Sequence, residues 1–187
     1  EIYYRNLITK RRGSPLWIPE PDNASPTYQE KGVSIGDVGR LTPWGSFEFF
    51  FNICYPSDHP INSEGVPEGF TPFDSSSLKI RRAQEYGPAS YVASESIEIS
   101  RKQYMDLVFE SSAAEGAILT MPHGARSENV KYTYPLQGYV RRHIESWYKY
   151  IMCVLGSDVG NGGVLVVTGC DKTDSWGVAT FVKSAEA

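Results

Sequence analysis

The sequence predicts an α+β fold, mostly antiparallel β-sheet with one main amphipathic helix packed on it. Two patterns and one compositional bias predict it. Leu136, Val140, Ile144, Trp147, Ile151 and Val154 recur at helical spacing near the C-terminal end. Phe47, Phe49, Phe51 and Ile53 alternate with Glu48, Phe50, Asn52 and Cys54 at the period of a strand. Aromatic residues make up 13% of the chain, which is high for a helical bundle and ordinary for a β-rich domain.

The helix is expected over residues 136–155. At about 100° per residue its apolar positions fall within about 40° of Val140. Arg141, Arg142, Glu145 and Lys149 fall on the other side. Pro135 suits a first turn and Gly156 a stop. Beyond it, Asn161-Gly162-Gly163 turns into Val164–Thr168, an apolar run expected as a strand buried on both faces. Trp176–Val182 reads as another strand. The polar stretch between them, Gly169 to Ser175, is expected as a loop.

Nearer the N-terminus, Ile2-Tyr3-Tyr4 reads as a short strand. Pro15, Pro19, Pro21 and Pro26 then argue for extended coil. Residues 33–55 predict a hairpin turning at Thr42-Pro43-Trp44-Gly45. Residues 56–91 predict a long loop region, broken only at Leu78–Ile80. Residues 92–121 return to strands punctuated by Gly116 and Pro122, with Arg101–Phe109 readable as either strand or helical turn. With 187 residues, a single domain over residues 1–187 is expected.

Charge narrows the partners. A formal net charge of -4 argues against non-specific nucleic-acid binding, which needs a basic surface to release counterions. Lys10-Arg11-Arg12, Arg81-Arg82 and Arg141-Arg142 are short and read as solvated faces. No apolar run reaches the roughly 18 residues of a membrane span. Glu1-Ile2-Tyr3-Tyr4-Arg5 carries no signal-peptide pattern. Three cysteines, Cys54, Cys153 and Cys170, are too few and too oddly spaced for a disulfide framework or a metal knuckle. They fit a reducing compartment, so a cytoplasmic location is expected, with secretion as the alternative. The sequon Asn23-Ala24-Ser25, followed by Pro26, reads as a chance match.

No motif names a reaction. Gly32-Val33-Ser34-Ile35-Gly36 matches G-x-S-x-G, but that pattern exposes a nucleophile only between a strand and a helix, and neither flank fits. Asp171-Lys172-Thr173-Asp174 is similar to a guanine-reading element, yet the chain holds no G-x-x-x-x-G-K-[ST] to cradle phosphates. What remains is a hairpin loop capping its own backbone, or a polar binding site made by Asp171, Lys172 and Asp174. His59, His123 and His143 form no ligand pattern, so neither a metal nor any other cofactor is expected. Glu110, Glu115 and Glu145 could serve acid–base chemistry only if folding pairs them.

Several blocks carry a resemblance. Pro15-Leu16-Trp17-Ile18-Pro19-Glu20-Pro21, Gly36-Asp37-Val38-Gly39, Phe51-Asn52-Ile53-Cys54, Gly116-Ala117-Ile118-Leu119-Thr120-Met121-Pro122 and Val167-Thr168-Gly169-Cys170-Asp171-Lys172-Thr173 are examples. Together they resemble an uncharacterised protein family of mushroom-forming (basidiomycete) fungi. The resemblance spans nearly the whole chain. It implies no activity, cofactor or ligand. It implies longer relatives that continue past the equivalent of Phe181, and an acidic residue more often than histidine at the position of His123.

Three functional readings follow. The first is a non-enzymatic binding or interaction domain of a fungal intracellular protein, its partner an unknown protein or small-molecule ligand, favoured by abundant Tyr and Trp and long polar loops. The second is a hydrolase-like enzyme with a non-local active site near the 169–175 loop, using Asp171, Lys172 and Glu110. The third is a defence, toxin or lectin-like protein.

Overall fold

The computed structural model describes residues 1–21, 25–101 and 107–183. The Asn23 sequon and the middle of the Arg101–Phe109 segment lie outside the described residues. In chain order the helices are α1 (Ile2–Leu7), α2 (Pro26–Lys31) and α3 (Tyr134–Lys149). The strands are β1 (Asp37–Leu41), β2 (Phe47–Asn52), β3 (Ile80–Tyr86), β4 (Ser90–Ala93), β5 (Glu98–Arg101) and β6 (Leu107–Glu110). They continue with β7 (Glu115–Met121), β8 (Ala125–Val130), β9 (Leu165–Val166), β10 (Gly169–Lys172) and β11 (Gly177–Val182). The fold is α+β, with small, mostly antiparallel sheets and one main helix, as the sequence predicts. No helix among the described residues is long and apolar enough to cross a membrane.

Contacts divide the chain into two compact units. The larger is Ile18–Ala83 with Ser127–Asp171; the smaller is Glu1–Trp17 with Gln84–Arg126 and Lys172–Ala187. A third sheet has the order β10-β8-β3.

The larger unit is built on a sheet of order β2-β1-β9. The β1–β2 hairpin turns where expected: Gly45 N donates to Thr42 O at 3.0 Å, and Gly45 holds the positive φ the turn requires. The register slips at Val38/Gly39, so Phe50 has no partner of its own between the pairs Val38↔Phe51 and Gly39↔Phe49. This bulge corrects the two-residue periodicity read from the sequence. Phe50, Phe51 and Ile53 all enter the main core, whereas Phe49 stacks on Tyr28 with ring centroids 4.0 Å apart.

Against this sheet α3 lays Leu136, Tyr139 and Trp147, and the core closes with Tyr150, Ile151 and Phe73. Past Lys149 the helix widens. Tyr150–Val154 is π-helical, and Leu155 N donates to Tyr150 O five residues back. The extra residue in the turn rotates Val154 off the stripe, so it is 70% exposed instead of facing the core.

The smaller unit centres on a sheet of order β11-β7-β4, with the β5–β6 hairpin beside it in sequence. Residues 2–7 are helical, a correction to the expected strand. Tyr3 and Leu7, four residues apart, stack on one helix face and bury against Ala117 of β7. Arg5 and Asn6 fix the same helix to Glu115.

Three other expectations are corrected. Pro26 begins α2: it occupies the first helical turn, where its missing N–H costs nothing, and the Ser25 hydroxyl accepts from Tyr28 N. Within 56–91, residues 80–86 are a strand; Arg81, Arg82, Gln84 and Glu85 hide it from any apolar periodicity. Gly169–Lys172 is a strand beside β8, leaving only residues 173–176 as the turn. A Cβ at Gly169 would lie 2.2 Å from Asn129 Oδ1 and 3.0 Å from Glu128 O, so a larger residue there would displace the Asn129 side chain.

Candidate functional site

Asp171 is exposed on β10 in the larger unit. Lys172 and Asp174 belong to the smaller unit. There Asp174 Oδ1 lies 3.0 Å from His123 Nδ1, a surface pair whose side chains are 80% and 69% exposed. The Thr173 hydroxyl donates to Ser175 O and accepts from Ser175 N, so the turn caps its own backbone. Glu110 is exposed at the end of β6, and Glu145 is exposed on α3, bonded to Lys149 one turn on. Among the described residues no group of three or more His, Cys, Asp or Glu is placed to hold a metal ion.

The most unusual chemistry lies elsewhere in the larger unit, at a carboxylate that sequence patterns did not flag. Asp37 opens β1 directly opposite Asn52 of β2, and both are fully buried. Ser34 N donates to Asp37 Oδ2 and Asn52 Nδ2 to Asp37 Oδ1, each at 2.6 Å. Asn52 also donates from Nδ2 to Ile35 O and accepts Cys54 N at its Oδ1. Its backbone N–H donates to Asn62 Oδ1, and Asn62 Nδ2 returns a bond to Asn52 O. The network therefore fastens the start of β1, the end of β2 and the turn at Asn62 together.

Burial pushes the Asp37 carboxyl up to about 6, against the donors Asn52 and Ser34 and the nearby Lys31 cation, which hold it down. The Cys54 thiol is pushed up to about 11, first by burial and then by the Asp37 charge. Such shifts mark functional sites in many proteins, but a carboxylate with no exposed surface offers no approach to a substrate. The network is a fastening of the fold. Ser34, at the centre of the G-x-S-x-G match, is buried and donates its hydroxyl to Gly32 O, so it is no exposed nucleophile.

One atom of this region lacks a match. The Tyr28 hydroxyl is buried beside Asp37 without a well-formed hydrogen bond, although it helps hold the Asp37 carboxyl down, and burial followed by the Asp37 charge drives its own ionisation far above the usual phenol range. A buried hydroxyl without a partner costs about 1–3 kcal/mol. Tyr28→Phe, which keeps the ring stacked on Phe49, is expected to raise stability by about 1 kcal/mol in urea denaturation. A loss of stability would mean that the hydroxyl serves Asp37 as a donor.

A concave surface lies on the same unit. A groove of about 500 Å³ runs between α3 and β9. Leu136, Gln137, Val140 and Arg141 form the helix wall; Leu165 and Val166 form the strand wall. Leu136 is buried and Val140 half-buried, so the floor is apolar, while Gln137 and Arg141 are exposed at the rim. β9 is only two residues long and lies at the edge of its sheet. Sequence reasoning identified the helix face and the Val164–Thr168 run separately. Their facing one another across a gap is a tertiary fact with no local signal.

No protein-family model matches the chain, and no curated protein and no solved structure matches it.

Proposed function

We propose that the chain is a non-catalytic binding module that takes its ligand in the groove between α3 and β9. The observation that carries this reading is the groove itself: an apolar floor with a few polar groups at the rim, in the size range of ligand clefts. Arg141 gives it a preference for anionic groups. The resemblance of the sequence blocks supports a fungal source, and the three cysteines, all free thiols, support a reducing, cytoplasmic setting.

Anilinonaphthalene sulfonate, an apolar anion, is a direct probe. The folded protein is expected to bind it at one site with enhanced fluorescence. Gln137→Trp places a bulky ring at the rim from an exposed helix position and is expected to weaken that binding at least tenfold with the thermal midpoint little changed. Undiminished binding in a folded Gln137→Trp protein would place the probe elsewhere and remove the groove from the proposal.

A further inference from the structure

We infer that the ligand of this groove is an extended peptide segment bearing an acidic side chain, which pairs with β9 as an additional strand. The inference rests on the groove being the binding site and names what fills it.

The strand wall of the groove is an unpaired sheet edge. In the order β2-β1-β9, β9 is an edge; on its far side Val130 N already donates to Thr168 O, so the open stretch is the short piece ending at Val166. The register decides which backbone groups point there. Val167 N donates to Asp37 O and Val167 O accepts from Gly36 N, so Val167 faces β1. Direction alternates along an antiparallel strand, so Val166, opposite Val38 in a non-hydrogen-bonded pair, turns its N–H and C=O away from β1. Among the described residues, no side chain or loop takes those groups. Val166 lines the groove, and its outward donor and acceptor lie at that margin of the sheet.

A backbone N–H and C=O offered side by side match another backbone better than any single functional group. Opposite them stands α3, whose Leu136 and Val140 present an apolar wall. A chain lying between would bond to β9 along one edge. Its alternate side chains would turn towards the apolar floor and out to solvent. Arg141 sets the charge: it is exposed at the rim and makes no ion pair with any described residue. A planar guanidinium in that position favours a carboxylate on the incoming segment. Together, edge, apolar wall and cation specify a short acidic-apolar peptide in extended form.

The test is an array of acetylated hexapeptides randomised at every position, probed with the full chain, followed by synthesis of the best binders. The expected binders alternate apolar residues and carry a glutamate or aspartate. Methylating the peptide nitrogens that face β9 removes main-chain donors without changing side chains, and is expected to weaken binding at least tenfold. Arg141→Glu is expected to reverse the preference for acidic peptides while leaving the thermal midpoint unchanged. Binding indifferent to N-methylation would overturn strand addition and leave a groove for small carboxylates. A concentration-dependent dimer that blocks the peptides would assign the edge to a second copy of this chain and overturn the inference as well. Displaceable binding of anilinonaphthalene sulfonate with no peptide bound would end the inference but keep the binding module; failure of both probes would end both.

Discussion

Asn52→Ala is expected to cost the protein about 3–5 kcal/mol near pH 8, and the loss is expected to shrink towards about pH 5. Alanine would leave Cys54 N and Ile35 O without partners and strip the buried Asp37 carboxylate of one of its two close donors. Removing one partner of a buried charge is among the most damaging single changes available to a fold. The pH dependence follows from Asp37, raised from an ordinary 3.8 to about 6. A folded-state value above the unfolded one gives a stability contribution that is complete below the unfolded value. It is lost as pH rises through the folded value. For the native protein that window spans about two units, on the order of 3 kcal/mol. Losing the Asn52 donor raises the carboxyl further, so the variant is penalised most where Asp37 must be ionised. Lys31 and Ser34 N still oppose the rise, and Tyr28 and Cys54 face the same carboxylate. The exposed Asp74 and Glu145 and the half-buried Glu115 are carboxyls held below their usual range, so their opposite contribution fades only in more acidic solution. Urea midpoints of both proteins at the two pH values decide the matter: a penalty independent of pH would remove Asp37 from the explanation.

The same pair shows how far the sequence could be read. The hairpin was legible because Pro43 and Gly45 mark its turn and the aromatic run marks its second strand. Asp37 and Asn52 were not, because a strand-opening aspartate is usually solvated, and only the register Asp37↔Asn52 turns it inward. The bulge at Phe50 was likewise invisible: an extra residue leaves Phe47-Glu48-Phe49-Phe50-Phe51 looking alternating when it is not. Short helices escaped for a related reason. Six residues of α1 hold one apolar pair, Tyr3 and Leu7, too little to separate a helical from a strand period. The candidate groove needed two elements far apart in sequence to be set side by side. By contrast Asp171, Lys172 and Asp174 drew notice through a motif-like spacing. The structure puts Asp171 and Lys172 on a strand and Asp174 in the self-capped turn that follows it.

Trp147→Ala is expected to destabilise the larger unit by about 3–5 kcal/mol, while Val154→Ala changes stability by no more than about 0.5 kcal/mol. On an ideal helix drawn from the sequence both residues belong to one apolar stripe. Trp147 is 1% exposed and meets the Phe51 ring edge-on at 5.5 Å and the Tyr139 ring at 6.0 Å. Truncating it removes the largest side chain where α3 crosses the sheet, and the rings around it sit on separate elements that cannot all collapse inward. Val154 lies one π-turn later, 70% exposed, with little apolar surface to lose. Denaturant titrations of the two variants therefore read the helix geometry directly. Similar losses at both positions would mean that the α-helical period continues through Val154 and that the stripe is whole; a large loss at Trp147 alone means that the extra residue in the Tyr150–Val154 turn has moved Val154 out of the core.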